Sequence, residues 1–251
     1  MSRFFVPKEF IKADSIYITG LEAHHILNVM RLKVLDEVVV FDGSGREYAG
    51  IVKRADRKSL EVRIKSTREP SAGTGPIITL IQAITKKDKM DYIAQKATEL
   101  GVFRIIPVTT ERTIPEWNGA KKASIVERWQ KIAREAAKQC GRPDIPEISP
   151  VADFKTALIP TCEVGSPTSQ VGELKLIAAL SDKAIKLKDA LKNSSGNKVV
   201  IAIGPEGDFT PDEIKMAGER GFKIVTLGRR VLKSDTAGLA VLSMISYEYA
   251  S

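Results

Sequence analysis

Short apolar runs, separated by polar residues and glycines, mark the first 66 residues as rich in β-strands. Three of these runs are Ile16–Ile18, Val38–Phe41 and Leu60–Ile64. A turn predicted at Asp42–Gly45 leads into a further strand over Glu47–Val52, and a short helix is predicted at 24–31. Several short strands joined by tight turns favour a small β-barrel.

Strand-like runs alternate with segments of helical spacing from Ile77 onward, after a predicted linker over residues 66–76. The predicted strands are 77–84, 104–108, 175–180, 198–203 and 223–227. Apolar residues at helical spacing predict helices at 90–100, 125–136 and 236–249. Alternation of this kind indicates an α/β fold with a mainly parallel sheet covered by helices.

One further helix has a clear start in the sequence. Thr210 is the predicted N-cap, Pro211 the first helical residue, and Glu213 completes a capping box three residues after Thr210. Gly221 is predicted to end the helix.

The positive charge of the chain lies in its first half. Residues 1–70 carry 13 basic and 10 acidic side chains, residues 86–142 carry 13 and 7, and residues 143–251 carry 13 and 14. The whole chain has a formal net charge of +8. This distribution favours a polyanionic partner such as nucleic acid, although a solvated basic face gives the same pattern.

Cysteine and histidine are too few for a metal centre of the usual kind. The chain has Cys140, Cys162, His24 and His25, at spacings that do not match a zinc site. We therefore predict no metal and reduced thiols. No apolar run is long enough to span a membrane, so we expect a cytoplasmic protein, or an organellar one if a transit peptide has been removed.

Two glycine-containing loops are the main chemical signal. One follows the predicted strand 198–203 as Gly204-Pro205-Glu206-Gly207, and the other runs from Leu227-Gly228 through residues 229–240. Loops at the carboxyl ends of parallel strands form ligand sites, and glycine lets the backbone approach a ligand closely. Neither loop is a dinucleotide fingerprint or a phosphate loop. A tight strand-to-helix turn is the structural alternative for the first loop.

The motifs in their order resemble the RsmE family of SPOUT methyltransferases over nearly the whole chain. The two C-terminal loops carry this resemblance together with Arg3–Phe5, His25–Arg31, Lys87–Gly101 and Glu127–Arg142. The resemblance implies S-adenosylmethionine-dependent methylation of N3 of one uridine in 16S ribosomal RNA of the small subunit. It also implies a homodimer in which the partner subunit completes the active site.

The resemblance further implies the domain organisation. Residues 1–70 are expected to form a PUA-like β-barrel that binds RNA. Residues 74–251 are expected to form a SPOUT-type α/β domain whose C-terminal chain threads a trefoil knot. The loops of the knot would hold the cofactor.

Carried over residue by residue, the resemblance gives a set of cofactor-binding positions. These are Leu180, Ile203, Gly204, Pro205, Glu206, Gly207, Leu227, Gly228, Val231, Leu232, Thr236 and Ala237. Three departures from the family pattern occur nearby. Asp208 stands where a second glycine is usual, Arg229 replaces a common proline, and Lys233–Thr236 replaces Arg-Thr-Glu-Thr.

Proton removal from uridine N3 needs a cation near the developing charge and a proton acceptor. Arg230 is the candidate cation, with contact to an RNA phosphate as its alternative role. Asp235 or Glu206 is the candidate acceptor, and Asp235 is alternatively the N-cap of the last helix. Candidate RNA contacts are Arg3, Arg31, Lys86, Lys89, Arg112 and Arg142.

Two other functions fit the same residues. One is a SPOUT methyltransferase that acts on transfer RNA or on another RNA base. The other is an RNA-binding factor in ribosome assembly without catalytic activity, which the departures at 208 and 233–235 allow.

Overall fold

A computed structural model describes residues 2–70, 75–86, 89–113, 119–159, 172–194 and 196–249. The chain divides into two compact units. Unit 1 comprises Met1–Gly73 with Arg134–Ile145, and unit 2 comprises Thr74–Ala133 with Pro146–Ser251. No helix among the described residues combines the length and apolar character needed to cross a membrane.

Unit 1 is built on five strands. They are β1 Ser2–Phe5, β2 Ser15–Thr19, β3 Glu37–Phe41, β4 Glu47–Ala55 and β5 Ser59–Arg68. The sheet order is β1-β3-β4-β5-β2, and only the β1–β3 pair is parallel. Alternate side chains from all five strands, among them Phe4, Ile16, Val38, Val52 and Val62, pack into one buried cluster, as a small β-barrel requires.

Two predictions for unit 1 are corrected by the structure. The predicted helix at 24–31 begins earlier, as α1 Gly20–His24, and continues as one π-helical turn over His25–Val29. The predicted linker at 66–76 begins later, because Ser66–Arg68 still pair with β4. Polar residues continue a strand there because the neighbouring backbone supplies the hydrogen bonds. Residues 71–74 of that linker lie outside the described residues.

Unit 2 contains an eight-stranded sheet whose strands pair in parallel. The strands are β6 Ile77–Ala83, β7 Arg104–Thr109, β8 Glu147–Ile148, β9 Ala152–Asp153, β10 Glu173–Ala178, β11 Ile185–Lys186, β12 Lys198–Ile203 and β13 Lys223–Thr226. Their order is β11-β13-β10-β12-β6-β7-β8, with β9 also paired to β7. The predicted parallel sheet is thus confirmed.

Helices cover both faces of this sheet. They are α2 Lys89–Glu99, the first part of α3 Gly119–Cys140 (as far as Ala133), α4 Phe154–Ala157, α5 Leu187–Lys192, α6 Pro211–Glu219 and α7 Ser234–Tyr249. Ile78 and Leu80 of β6 pack with residues of α2, α5 and α7, whereas Ile81 and Ala83 pack with residues of α4 and α6. The alternation along β6 therefore buries both faces, as expected for a central parallel strand.

Several predicted boundaries in unit 2 move by a few residues. The strand predicted at 175–180 is Glu173–Ala178, because its register is fixed by β12 from Lys198 to Ile203. Helix α3 begins at Gly119 instead of 125, and α7 begins at Ser234 instead of 236. Asp235 is consequently a residue of the first helical turn and not the predicted N-cap. The first helical hydrogen bond runs from Ala237 N–H to the carbonyl of Lys233.

Candidate functional site

The carboxyl ends of β10, β12 and β13 lie side by side, because β10 pairs with both of the other strands. The loops that follow these strands enclose a cavity of about 280 Å³, which is near the size of a small-molecule site. Its lining consists of Ala178, Ala179, Leu180, Ile203, Gly204, Pro205, Glu206, Asp208, Val225, Thr226, Leu227, Gly228, Arg230, Val231, Leu232, Lys233, Ser234 and Ala237. We call it the strand-end pocket.

The wall formed by the β13 loop is apolar and held in shape by a tight turn. Leu227, Val231 and Leu232 present aliphatic side chains, which can enclose a flat ring. Gly228 has a φ of +135°, which glycine adopts without strain. The Thr226 hydroxyl donates to the carbonyl of Gly228 at 3.0 Å and accepts from its N–H at 3.3 Å. Backbone polar groups are thereby fixed at the pocket wall.

A series of buried hydrogen bonds connects two loops of the pocket to strand β6. The side-chain amide of Gln82, at the end of β6, donates to the Ser234 hydroxyl and to the carbonyl of Ala83, both at 3.0 Å. Ser234 donates in turn to the carbonyl of Gly204. The start of α7 and the loop after β12 are therefore tied to the central strand.

Glu206 forms a charged edge of the pocket together with Lys89 and Asp235. The Lys89 ammonium lies 3.0 Å from Glu206 Oε1 and 4.0 Å from Asp235 Oδ1. Burial tends to raise the pKa of Glu206, but hydrogen bonds from Lys89 and from backbone N–H groups, together with the lysine charge, hold it below the ordinary value. The same hydrogen bond raises the pKa of Lys89. Both groups are ionised at neutral pH.

Asp208 occupies an unusual backbone position in the same loop. Its φ is +61°, in the left-handed region that favours glycine. Its carboxylate accepts hydrogen bonds from Leu180 N–H at 3.0 Å and Phe209 N–H at 2.8 Å. The side chain therefore connects the loop after β12 to the loop after β10.

The structure brings most of the predicted cofactor positions together. Ten of the twelve line the strand-end pocket, whereas Gly207 and Thr236 do not. Arg230 also lines the pocket. Asp235 does not line it, but its Oδ1 lies 4.0 Å from the ammonium of Lys89, which pairs with Glu206 of the lining. Gln82, Asp208 and Ser234 were not among the predicted site residues. Two signals were available: Gln82 is a lone amide in a mostly apolar strand, and Asp208 stands where the family usually has glycine.

The six candidate RNA contacts fall into two groups. Lys86, Lys89 and Arg112 belong to unit 2, where Lys89 pairs with Glu206 and Arg112 donates to the carbonyl of Gly207. Arg3, Arg31 and Arg142 belong to unit 1. Arg3 pairs with Glu47, Arg142 pairs with Asp144, and Arg31 is exposed with a φ of +55°. Three of the six predicted RNA contacts therefore already form ion pairs with carboxylates of this chain.

The pocket has the features that a nucleoside sulfonium needs. An aliphatic wall can hold a base, fixed backbone groups can bind its edge, and the Asp208 carboxylate supplies negative charge for a cationic ligand. The residues present therefore fit S-adenosylmethionine. Among the described residues, no group of three or more His, Cys, Asp or Glu side chains is placed to hold a metal ion.

Comparison with known proteins agrees with this geometry. The model of an RNA methyltransferase domain matches residues 75–246, and that of an RNA methyltransferase PUA domain matches residues 18–65. The ribosomal RNA small subunit methyltransferase E of Bacillus subtilis is 29% identical over 257 residues, covering 99% of this chain and 97% of the relative. Its counterpart from Synechocystis is 30% identical over 241 residues, covering 96% and 75%.

A solved structure gives the same result. The ribosomal RNA small subunit methyltransferase E of Neisseria gonorrhoeae, bound to S-adenosyl methionine, has a TM-score of 0.84 and 32% identity, covering 99% of this chain and 98% of that one. The matches to the family models and to the relatives extend over most of the chain. This chain therefore belongs to the ribosomal RNA small subunit methyltransferase E family of S-adenosylmethionine-dependent RNA methyltransferases.

Proposed function

We propose that the protein methylates N3 of a specific uridine in 16S ribosomal RNA, with S-adenosylmethionine as methyl donor. The observation that carries the proposal is the strand-end pocket, which places Arg230 beside an apolar wall and an acidic edge. When bound, the cofactor supplies an electrophilic methyl group on a sulfonium. The twelve predicted cofactor positions are the residues that we propose to hold it, and Gly207 and Thr236 are the two among them that do not line the pocket.

Proton removal from N3 is the step in which side chains contribute chemistry. As the N3 proton leaves, negative charge grows on the uridine oxygens, and the Arg230 guanidinium stabilises it. The proton passes to Asp235 or Glu206, directly or through water. The lowered pKa of Glu206 makes its carboxylate a weaker base than an ordinary glutamate. We therefore favour Asp235, whose Oδ1 accepts no hydrogen bond from the described residues.

RNA binding completes the proposal for the two domains. We propose that residues 1–70 form a PUA-like RNA-binding barrel and that residues 74–251 form a SPOUT domain with a C-terminal trefoil knot. The matches to the two family models support this division. A base inside folded RNA must be extruded before an enzyme can reach it. The six candidate basic residues are the proposed phosphate contacts, and the RNA is proposed to be presented in the small subunit in the cytoplasm.

Homodimerisation is also proposed, with α7 as part of the interface. The exposed side chains of Met244 and Tyr247 lie on this helix, and Tyr92 is exposed on α2, which packs against α7. Apolar groups exposed on neighbouring helices favour association. Sedimentation of the purified chain at several concentrations tests this, and a monomer at all concentrations contradicts it.

The activity is tested by methyl transfer from labelled S-adenosylmethionine. Small subunits that lack the modification, free ribosomal RNA and transfer RNA are compared, and the modified nucleoside is identified by mass spectrometry. We expect 3-methyluridine in small-subunit RNA. Another modified nucleoside, or methylated transfer RNA, identifies a different target. RNA binding without methyl transfer or cofactor binding identifies a non-catalytic factor.

A further inference from the structure

Asp208 carries a conformational cost that a glycine at this position would not have. With φ at +61°, its side chain stands in a backbone region disfavoured for residues with a Cβ, although aspartate tolerates it better than most. The residue lines the strand-end pocket and is half-buried. A strained residue at a ligand site points to a role for its side chain.

The Asp208 carboxylate is held in one orientation by backbone groups. Oδ2 accepts from Leu180 N–H at 3.0 Å, and Oδ1 accepts from Phe209 N–H at 2.8 Å. The Asp208 N–H donates to the carbonyl of Pro205 at 3.1 Å, which closes the turn. Each carboxylate oxygen has two lone pairs, so both oxygens can accept one further hydrogen bond.

No lysine or arginine among the described residues forms an ion pair with Asp208. This distinguishes it from Glu206, whose negative charge is balanced by Lys89. Asp208 therefore offers, at the pocket, an acceptor with unused lone pairs and no ion-pair partner among the described residues. Such a group is suited to a ligand that brings hydrogen-bond donors of its own.

We infer that Asp208 accepts a hydrogen bond from a ribose hydroxyl of the bound cofactor, which makes it a cofactor-binding residue additional to the predicted set. The inference rests on the proposed function for the identity of the ligand. A ribose diol presents two O–H donors next to the base, and an acidic side chain is the acceptor used for ribose in other nucleotide sites. Leu227 and Val231 line the pocket and would face the base, and Asp208 lines the same pocket, where it would accept from the diol.

The ammonium group of the methionine moiety is the other donor that a carboxylate could bind. The two sources differ in one testable respect. If the diol is the partner, Asp208 contributes to binding of 5′-methylthioadenosine, which has the ribose but no amino acid. If the ammonium is the partner, removing the carboxylate leaves 5′-methylthioadenosine binding unchanged.

The experiment is a set of calorimetric titrations of the full chain with S-adenosylhomocysteine, its 2′-deoxy and 3′-deoxy analogues, and 5′-methylthioadenosine. The variants are D208G, D208A and D208N, with D212N as a control that removes a nearby exposed charge outside the pocket. Circular dichroism verifies that each variant is folded. Glycine suits the backbone conformation, so D208G remains informative if D208A is not folded.

The unmodified chain and D212N should bind the deoxy analogue that lacks the bonded ribose hydroxyl about tenfold more weakly than S-adenosylhomocysteine. This is the usual effect of losing a hydrogen bond to a charged group. D208G is expected to bind S-adenosylhomocysteine and 5′-methylthioadenosine about tenfold more weakly than the unmodified chain does. D208G is also expected to bind the deoxy analogues as tightly as it binds S-adenosylhomocysteine. A purely structural role weakens all ligands equally and leaves the discrimination intact. That result overturns the inference, as does unchanged 5′-methylthioadenosine binding in D208G. Failure of the unmodified chain to bind S-adenosylhomocysteine at all instead contradicts the proposed cofactor.

Discussion

Gln82 and Ser234 are 152 positions apart in the sequence, yet their side chains share a hydrogen bond of 3.0 Å in the interior of unit 2. Gln82 is fully buried and Ser234 is 5% exposed. The Ser234 hydroxyl has a single proton, which it donates to the carbonyl of Gly204 while accepting from Gln82. One hydroxyl therefore connects β6, the loop after β12 and the start of α7.

Ser234→Ala is predicted to destabilise the protein and to weaken cofactor binding. The change leaves the Gln82 amide and the Gly204 carbonyl without this partner in a buried site, which costs about 1–3 kcal/mol. Urea unfolding measures the loss, and calorimetry with S-adenosylhomocysteine measures the binding. Ser243→Ala is the matched control, because Ser243 is exposed on the same helix and its hydroxyl, within the described part of the chain, bonds only to the carbonyl of Leu239. Equal losses in the two variants would contradict the proposed role of Ser234.

The connection through Ser234 shows which parts of the structure the sequence could predict. Strands β6 and β12 and helix α6 were predicted because their signals are local. The capping box of α6 is confirmed, with Thr210 accepting from Glu213 N–H and Glu213 accepting from Thr210 N–H. Apolar periodicity and a three-residue spacing are sufficient for such elements.

Contacts between distant segments carried no comparable signal. Nothing in the neighbourhood of Gln82 indicates Ser234, and Glu213 also accepts from the N–H of Glu111, 102 residues away. The two-residue strands β8, β9 and β11 are too short to show a period. The cofactor positions were assigned through resemblance, because spacing alone could not place three loops beside one another.

Two glycines in helices are predicted to respond in opposite directions to alanine. A Cβ on Gly238 of α7 would lie 2.8 Å from Gln82 Oε1, whereas a Cβ on Gly218 of α6 would meet nothing within 4 Å. Gly218→Ala should stabilise the protein by about 0.5–1 kcal/mol through helix propensity. In Gly238→Ala, overpacking against a buried amide opposes that gain by about 1–3 kcal/mol.

Thermal and urea unfolding of the two alanine variants give the relevant difference. We expect Gly238→Ala to be the less stable by at least about 1 kcal/mol. Because both substitutions are glycine to alanine within a helix, the difference isolates packing near Gln82. Equal stabilisation of both variants would contradict the close approach of α7 to β6.

The ion pair between Lys89 and Glu206 predicts a defined pH dependence. Glu206 has a lowered pKa, so its contribution to stability is present above its ordinary value of 4.5 and is lost as the pH falls through the folded value. Lys89 has a raised pKa, so its contribution is present below 10.5 and is lost as the pH rises through the folded value. The pair is therefore fully formed around neutral pH.

A double-mutant cycle with Glu206→Gln and Lys89→Met measures this coupling. Both side chains are 34% exposed, so we expect a coupling energy below about 1 kcal/mol at pH 7, decreasing with added salt and decreasing as the pH falls below 4.5 through the lowered pKa of Glu206. Urea unfolding at several pH values provides the measurement. A coupling that does not decrease on acidification would show that the two residues interact by packing instead of charge.

Arg230→Ala is predicted to reduce kcat for methyl transfer by about 10²–10³-fold, the usual effect of removing one group that stabilises a developing anion. Affinity for S-adenosylhomocysteine should change much less, because Arg230 is exposed and lies beside an apolar wall made by other residues. Arg230→Lys keeps the charge and should recover part of the rate. Single-turnover kinetics on small subunits, with calorimetry of the cofactor, provide the two measurements.

Contact with an RNA phosphate gives a different result for the same substitution. The KM for RNA would then rise with kcat nearly unchanged. The slope of the logarithm of the RNA binding constant against the logarithm of the salt concentration would decrease in magnitude by about one, because one fewer counterion is released. Arg229→Ala is the control, because Arg229 is also exposed but does not line the strand-end pocket. If both alanine variants lose RNA affinity and neither loses kcat, Arg230 binds the RNA backbone and has no part in charge stabilisation at the uridine.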